Sequence, residues 1–148
     1  MSAPGPRTGQ CLCGAVRFTA AELGGFGVCH CKMCQRHLGS AMFGVTVNAG
    51  HMTIEGAENV GTYVSSTWAS RAFCTRCGSS LWYRYDPRKD GGGTYEIPIG
   101  LLDDGNGLTI ARELFIDRKS DSFEIAGDHP RLTEAEVEQM YSSSQQGA

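Results

Sequence analysis

The stretch that decides the fold reads GQCLCGAVRF over residues 9–18, and a related stretch, FCTRCGSSL, covers residues 73–81. Each contains a pair of cysteines followed directly by a glycine, which readily adopts the positive φ that a tight turn after the second cysteine needs. Two such pairs supply four thiolates, the ligand set of a closed tetrahedral zinc site. The four candidate ligands are Cys11, Cys13, Cys74 and Cys77. A zinc ion there would contribute folding energy directly, because structural zinc binding is coupled to folding.

A third motif, CHCKMCQR over residues 29–36, holds the other three cysteines. Cys31 and Cys34 have the two-residue spacing of a metal clip, and Cys29 adds a third sulfur. Three protein ligands with one open position are the pattern of a catalytic zinc site. We predict one or two helical turns over residues 32–38, whose free N–H groups would stabilise thiolates at their start.

Spacing alone leaves several alternatives open. His30, His37 or a distant carboxylate could supply a fourth ligand and make the second cluster structural. A thiol–disulfide oxidoreductase using Cys31 and Cys34 would need a βαβ context, whereas the sequence shows short strands there. The two glycine-terminated pairs could also be a redox CxxC motif and two buried thiols instead of a zinc site. A single closed site could also be formed by Cys11, Cys13, Cys29 and Cys31.

Composition narrows the class of protein. The 148 residues predict one domain, and the 20 glycines favour turns and short strands over long helices. The net charge of −3 gives no basic footprint for nucleic acid, and no apolar run is long enough for a membrane span. Residues 1–9 lack the apolar core of a secretory signal. We therefore predict a soluble cytoplasmic protein whose seven cysteines stay reduced, as metal ligands or catalytic groups.

The pattern of short alternating segments predicts a mainly β fold of short antiparallel strands. A capping box at residues 133–136 begins a short C-terminal helix that we expect to end at Tyr141. Residues 1–7 are predicted to be a disordered leader, and residues 142–148 a flexible tail. The predicted strands cover residues 15–20, 26–29, 42–47, 52–55, 61–65, 71–73, 80–85, 94–99 and 111–116.

Taken together, the three motifs resemble the glutathione-dependent formaldehyde-activating (GFA) family, which includes the centromere protein V group. All seven family cysteines have counterparts in order, and the resemblance covers residues 8–127, leaving 128–148 as the short helix and tail. The chain differs from the family pattern at His37, where a second basic residue is common, and at Phe123, where tryptophan is usual.

The resemblance implies a zinc-stapled, Mss4-like β fold with two zinc ions per chain. The structural zinc would be bound by Cys11, Cys13, Cys74 and Cys77. The second, catalytic zinc would be bound by Cys29, Cys31 and Cys34. The implied activity is that of a carbon–sulfur lyase, similar to S-(hydroxymethyl)glutathione synthase, which joins a small aldehyde to the thiol of glutathione or cleaves the adduct.

Other residues near the motifs have candidate roles. His30 or His37 could carry the proton, although support of the cysteine ligands is the simpler role for each. Glutathione has two carboxylates, and Arg36, the arginine of the third motif, could bind one of them. Lys32, Arg71 and Arg76 are further candidate cations, and we assign no role to His51 and His129. The alternative function is a non-catalytic zinc-stabilised β module that binds a protein partner.

Overall fold

A computed structural model describes residues 5–146 of the chain. Where the sequence predicts one domain, these residues divide into two compact units. Unit 1 contains the chain up to Gly25 and the segment Phe43–Leu108. Unit 2 contains the segment Phe26–Met42 and the chain from Thr109 onward.

The described residues form short strands and two α-helices. The strands are Arg7–Gln10 (β1), Arg17–Ala20 (β2), Phe26–Cys29 (β3), Met42–Asn48 (β4), Met52–Glu55 (β5), Val60–Val64 (β6), Ala69–Cys74 (β7), Ser80–Tyr85 (β8), Thr94–Pro98 (β9), Ile110–Leu114 (β10) and Arg131–Leu132 (β11). The helices are Lys32–Leu38 (α1) and Glu134–Gln146 (α2). Single 3-10 turns cover Ala49–His51, Ala57–Asn59, Ile99–Leu101 and Ile116–Arg118. Among residues 5–146, no helix combines the length and the apolar character that crossing a membrane requires.

Unit 1 is built from antiparallel strands. One set follows the order β1-β2-β5, and a second follows the order β4-β9-β8-β7-β6. Their inward faces enclose a core in which Trp82 packs edge-on against Phe18 and Tyr95, with ring centroids 6.0 and 5.5 Å apart. Cys11 and Cys74 belong to this core and are each 1% exposed. Both cysteine pairs therefore begin inside the packed part of unit 1.

Strand pairing in unit 2 is parallel: β10 pairs with β3 on one side and with β11 on the other. Parallel neighbours need long crossover connections, and α1 lies in the stretch of chain that leaves β3. Val28 in β3 and Val137 in α2 are each 1% exposed. Unit 2 thus places the third cysteine motif at the end of a buried parallel strand.

The predicted mainly β fold with a short C-terminal helix is confirmed, and antiparallel pairing holds in unit 1. Two terminal predictions need correction. Arg7 opens β1 instead of closing a disordered leader, and its guanidinium donates to the carbonyl oxygens of Asp104 and Asn106 at 2.8 Å. Helix α2 continues five residues past Tyr141 to Gln146, because no glycine or proline interrupts the chain before Gly147. The leader's first four residues and the last two of the tail lie outside the described residues.

A glycine in unit 1 offers a test of this architecture. Gly56 has a φ of 78°, and a Cβ added there would overlap the carbonyl oxygen of Ala15. We expect Gly56→Ala to lower the free energy of unfolding by about 3 kcal/mol, since left-handed strain and the overlap act together. Gly50→Ala is the matched control, because no heavy atom lies within 4 Å of its added Cβ. Equal losses for both variants in urea denaturation would contradict the structure at Gly56.

Candidate functional site

The four cysteines of the two glycine-terminated motifs, residues 9–18 and 73–81, meet in unit 1. The Sγ atoms of Cys11, Cys13, Cys74 and Cys77 all lie within 4.8 Å of one another. The Sγ of Cys13 lies 3.7 Å from that of Cys11 and 3.9 Å from that of Cys74. Of the partitions that spacing left open, this arrangement matches the one that pairs the two glycine-terminated motifs.

Each cysteine pair is shaped by a tight turn. Gly14 and Gly78 follow the pairs with φ of 80° and 78°, the left-handed conformation that the sequence predicts at both. Backbone N–H groups of Arg76 and Cys77 point at the Sγ of Cys74, each at 3.4 Å. The Sγ of Cys11 likewise accepts from the N–H of Val16 at 3.3 Å. These donors stabilise negative charge on sulfur, as a cluster of thiolates requires.

Ser79 connects the two motifs. Its hydroxyl accepts from the N–H of Leu12 at 3.0 Å and lies 3.1 Å from the Sγ of Cys77. Hydrogen bonds from the Ser79 hydroxyl and backbone N–H lower the pKa of the Cys77 thiol to about 5. These hydrogen bonds favour the thiolate form of Cys77, the form in which cysteine binds metal, whereas the neighbouring sulfurs raise the pKa of Cys13.

The other three cysteines meet in unit 2, where the Sγ atoms of Cys29, Cys31 and Cys34 lie within 4.8 Å of one another. Cys34 is buried, and Cys29 and Cys31 are half-buried. Among the described residues, no imidazole nitrogen or carboxylate oxygen joins the three sulfurs within that distance. The cluster therefore has three side-chain donors where the cluster in unit 1 has four.

Local sequence explains the placement of these sulfurs. Cys29 ends β3, and Cys31 is the N-cap of α1, where its Sγ accepts from the N–H of Cys34 at 3.4 Å. Helix α1 ends as predicted, with Gly39 in the left-handed conformation and its N–H bonded to the Gln35 carbonyl oxygen. The capping hydrogen bond draws Cys31 and Cys34 together across the first turn.

Charge explains what these clusters can bind. The neighbouring sulfurs of Cys31 and Cys34, together with burial, raise the pKa of the Cys29 thiol. Three thiolates this close repel one another, so a cation placed among them would favour their ionised forms. Sulfur donors at this separation fit a soft divalent ion such as zinc. Both cysteine clusters could therefore hold a metal ion.

His30 lies between two of these cysteines, but its side chain is directed to a different group. Its ring is 1% exposed, and its Nε2–H donates to Oε1 of Glu113 at 2.7 Å. Oε2 of Glu113 accepts from His129 at 2.6 Å and forms an ion pair with Nε of Arg131 at 2.9 Å. Sequence reasoning missed Glu113 and Arg131 and gave His129 no role. The sequence pattern of β10 gives no sign that Glu113 is buried, because a glutamate in a strand is typically exposed. Without Glu113, no feature of the sequence points to its partners.

An aromatic side chain lies against His30. The ring centroid of Phe123 is 6.1 Å from that of His30, and Phe123 is 39% exposed. The ammonium of Lys119 lies 4.9 Å from the Phe123 ring centroid and donates to the Phe123 carbonyl oxygen at 2.5 Å. Lys119 therefore fixes the loop that presents this ring, at the position where the resemblance led us to note phenylalanine in place of tryptophan.

The candidate cations are divided between the units. Arg36 and Lys32 lie exposed on α1, in the same unit as the three-cysteine cluster. Arg71 is buried in unit 1, with its guanidinium 4.9 Å above the ring of Tyr83, and Arg76 is exposed beside Cys77. Of the four, Arg36 and Lys32 are thus the two that share a unit with the three sulfurs.

Comparison with known sequences matches residues 6–118 to the family described as glutathione-dependent formaldehyde-activating enzyme. An uncharacterized lyase of Schizosaccharomyces pombe is 32% identical over 130 residues, which are 87% of this chain and 92% of that protein. A Halomonas elongata protein assigned by name to the glutathione-dependent formaldehyde-activating enzymes is 33% identical over 89 residues, 54% of this chain and 56% of that one.

Comparison with solved structures supports the fold. A Rhodobacter sphaeroides protein of known crystal structure superposes with a TM-score of 0.53. The match covers 84% of this chain and 98% of that one, at 21% sequence identity. At this identity the similarity concerns the fold alone.

Proposed function

The chain belongs to the family of glutathione-dependent formaldehyde-activating enzymes, and from this premise we propose that it is a zinc-dependent carbon–sulfur lyase. It would join a small aldehyde such as formaldehyde to a thiol such as glutathione, or cleave the adduct, like an S-(hydroxymethyl)glutathione synthase. In the forward direction the thiol sulfur bonds to the carbonyl carbon, and the thiol proton ends on the former carbonyl oxygen. The reaction therefore needs no oxidant or reductant.

The observation that carries this proposal is the three-sulfur cluster of Cys29, Cys31 and Cys34, which no fourth side-chain donor completes among the described residues. When bound there, zinc would leave a coordination position for a small thiol and favour its deprotonation. The N–H of Cys34 donates to Cys31 and so helps to keep that sulfur anionic.

Other residues of unit 2 fit the recognition of a small thiol. The exposed cations Arg36 and Lys32 on α1 would attract the carboxylates of glutathione, and Arg36 can bind one of them through two parallel hydrogen bonds. We do not assign proton transfer to His30, because its ring is buried and its Nε2–H is bonded to Glu113. The ring of Phe123 supplies a half-exposed apolar surface next to His30.

We assign the cluster of unit 1 a structural zinc, held by Cys11, Cys13, Cys74 and Cys77, which gives two zinc ions per chain. Four sulfur ligands close the coordination shell, and two of them lie inside the core of unit 1. The proposal includes a cytoplasmic location, where thiols stay reduced and glutathione is present.

The second candidate is a zinc-stabilised module that binds a protein partner and catalyses no reaction. Large exposed side chains of unit 1 favour it: Tyr63 and Val64 in β6 are 68% and 70% exposed, and the nearby Trp68 is 51% exposed. Exposed apolar patches on a soluble domain are typical of interaction surfaces. In this case both metal sites would be structural and indifferent to small thiols.

Native mass spectrometry with added glutathione separates the two candidates. We expect two zinc ions per chain and the uptake of one glutathione, because only the three-sulfur cluster would leave a position for a thiol. S-methylglutathione is the matched control, since it keeps both carboxylates but lacks the free thiol. A chain that keeps two zinc ions and takes up neither compound would favour the binding module. A chain without zinc and with an internal disulfide would exclude both candidates.

A further inference from the structure

A carboxylate is buried in the middle of unit 2. Glu113 in β10 is 0% exposed; its two oxygens accept hydrogen bonds from His30 at 2.7 Å and His129 at 2.6 Å, and Oε2 forms an ion pair with Arg131 at 2.9 Å. Burial alone would raise the pKa of the Glu113 carboxyl, but the hydrogen bonds from the two histidines and the charge of Arg131 outweigh it and lower that pKa. An ion buried this deeply is costly unless it is paired, and here the partners are His30 just after β3, Arg131 in β11 and His129 just before it.

Strand register explains why these residues meet. In the parallel ladder Glu113 is level with Val28 of β3 on one side and with Arg131 of β11 on the other. Side chains two residues apart in an extended chain point to the same face. His30 follows Val28 by two residues and His129 precedes Arg131 by two, in agreement with the contacts that all three groups make with the Glu113 carboxylate.

The same alternation places the cysteines on the opposite face. Cys29 and Cys31 flank His30, and Cys31 has the extended backbone conformation, with φ of −62° and ψ of 153°. Their sulfurs lie within 4.8 Å of each other, whereas the imidazole of His30 is bonded to Glu113 and contributes no nitrogen to the sulfur cluster. His30 thus belongs to the segment that carries two of the three sulfurs, while its ring is bonded to a group outside the sulfur cluster.

Three hydrogen bonds hold His30 in place. Its N–H donates to the carbonyl oxygen of Leu114 at 2.9 Å, and its carbonyl oxygen accepts from Nε2 of Gln35 at 2.7 Å. The third is the bond from its ring to Glu113. The two backbone bonds fix the path of the chain, whereas the bond to Glu113 is the one that resists rotation of the segment about its own axis.

We propose that Glu113 is a positioning residue for the three-cysteine cluster: through His30 it fixes the rotation of the Cys29–Cys31 segment and hence the direction of two sulfurs. The inference rests on the proposed function in one respect, that a metal binds these sulfurs. His129 and Arg131 act on the carboxylate rather than on the cysteines, since they keep it charged and in one orientation. Groups that orient metal ligands in this way typically change metal affinity by about 10–100-fold when removed.

The test measures the metal site itself in the full-length chain. Cobalt(II) is loaded in place of zinc, and the spectrum of the Cys31→Ser chain is subtracted to isolate the absorption of the three-cysteine cluster. Zinc affinity is measured by competition with a chromophoric chelator. The variants are Glu113→Ala, Glu113→Gln and His30→Ala, and the matched control is His51→Ala, which removes a half-exposed imidazole of unit 1 that has no role in the cluster.

We expect Glu113→Ala and His30→Ala to weaken zinc binding at this cluster by about 10–100-fold and to shift its cobalt spectrum. Glu113→Gln keeps an acceptor for His30 and should recover part of both properties, and His51→Ala should stay near the wild type. If His30→Ala leaves the spectrum and the zinc affinity of the three-cysteine cluster unchanged, the inference is overturned, even if Glu113→Ala does not fold. A wild type that binds metal at this cluster without lyase activity would overturn the proposed function alone.

Discussion

Replacing Cys74 with serine should unfold unit 1. Its sulfur is 1% exposed within the core, and it accepts hydrogen bonds from two backbone N–H groups as one of four clustered donors. Structural zinc contributes about 10–16 kcal/mol of apparent binding free energy at pH 7, comparable to the ~5–15 kcal/mol net stability of a whole domain. Serine preserves nearly the same shape, so the expected loss comes from the metal and not from packing.

The measurement is thermal unfolding followed by circular dichroism, with zinc content determined on the same samples. Arg76→Ala is the matched control, because Arg76 is exposed in the same turn and is not one of the four donors. We expect it to keep its zinc and its melting temperature. Removing metal from the wild type with a strong chelator should reproduce the Cys74→Ser result. A Cys74→Ser chain that melts cooperatively at the wild-type temperature would show that metal binding at this cluster does not stabilise the fold.

The elements that sequence predicted best are those set by local chemistry. Helix α1 has the predicted bounds, because a polar segment without β-branched residues runs between a capping side chain and a glycine in the left-handed conformation. The two glycine-terminated cysteine pairs likewise carry their turns in their own sequence, and the structure brings their sulfurs together. Both features depend on neighbours within a few residues, which a single sequence displays directly.

Features that depend on register could not be predicted. Glu113 is flanked by Arg112 and Leu114, and simple alternation would place Leu114 rather than Glu113 in the interior. Parallel pairing with β3 and β11 reverses that expectation, since it brings His30 and Arg131 alongside the carboxylate. Partners 16 to 83 residues away in sequence become visible only when the strands are paired.

Replacing Cys31 with serine should abolish lyase activity while the fold survives. Serine is a better N-cap than cysteine, so it can take over the hydrogen bond from the N–H of Cys34, and α1 should stay intact. What is lost is one of the three sulfurs that we propose bind zinc, in a cluster that no fourth donor completes among residues 5–146. The loss of activity should exceed the ~10–100-fold that follows the removal of a group supporting a ligand.

Exchange between free glutathione with formaldehyde and their adduct, followed by NMR, measures this activity, and zinc per chain is counted in parallel. Met33→Ser is the matched control: it introduces the same residue into the same helix, at a side chain that is 48% exposed and is not a sulfur of the cluster. We expect Cys31→Ser to lose one zinc and to show only the uncatalysed exchange, with the melting transition of unit 1 retained. Full activity of the Cys31→Ser chain would show that the reaction does not take place at the three-cysteine cluster. Global unfolding of Cys31→Ser would make this cluster structural as well, because an open catalytic site holds its metal for reaction and the fold does not depend on it.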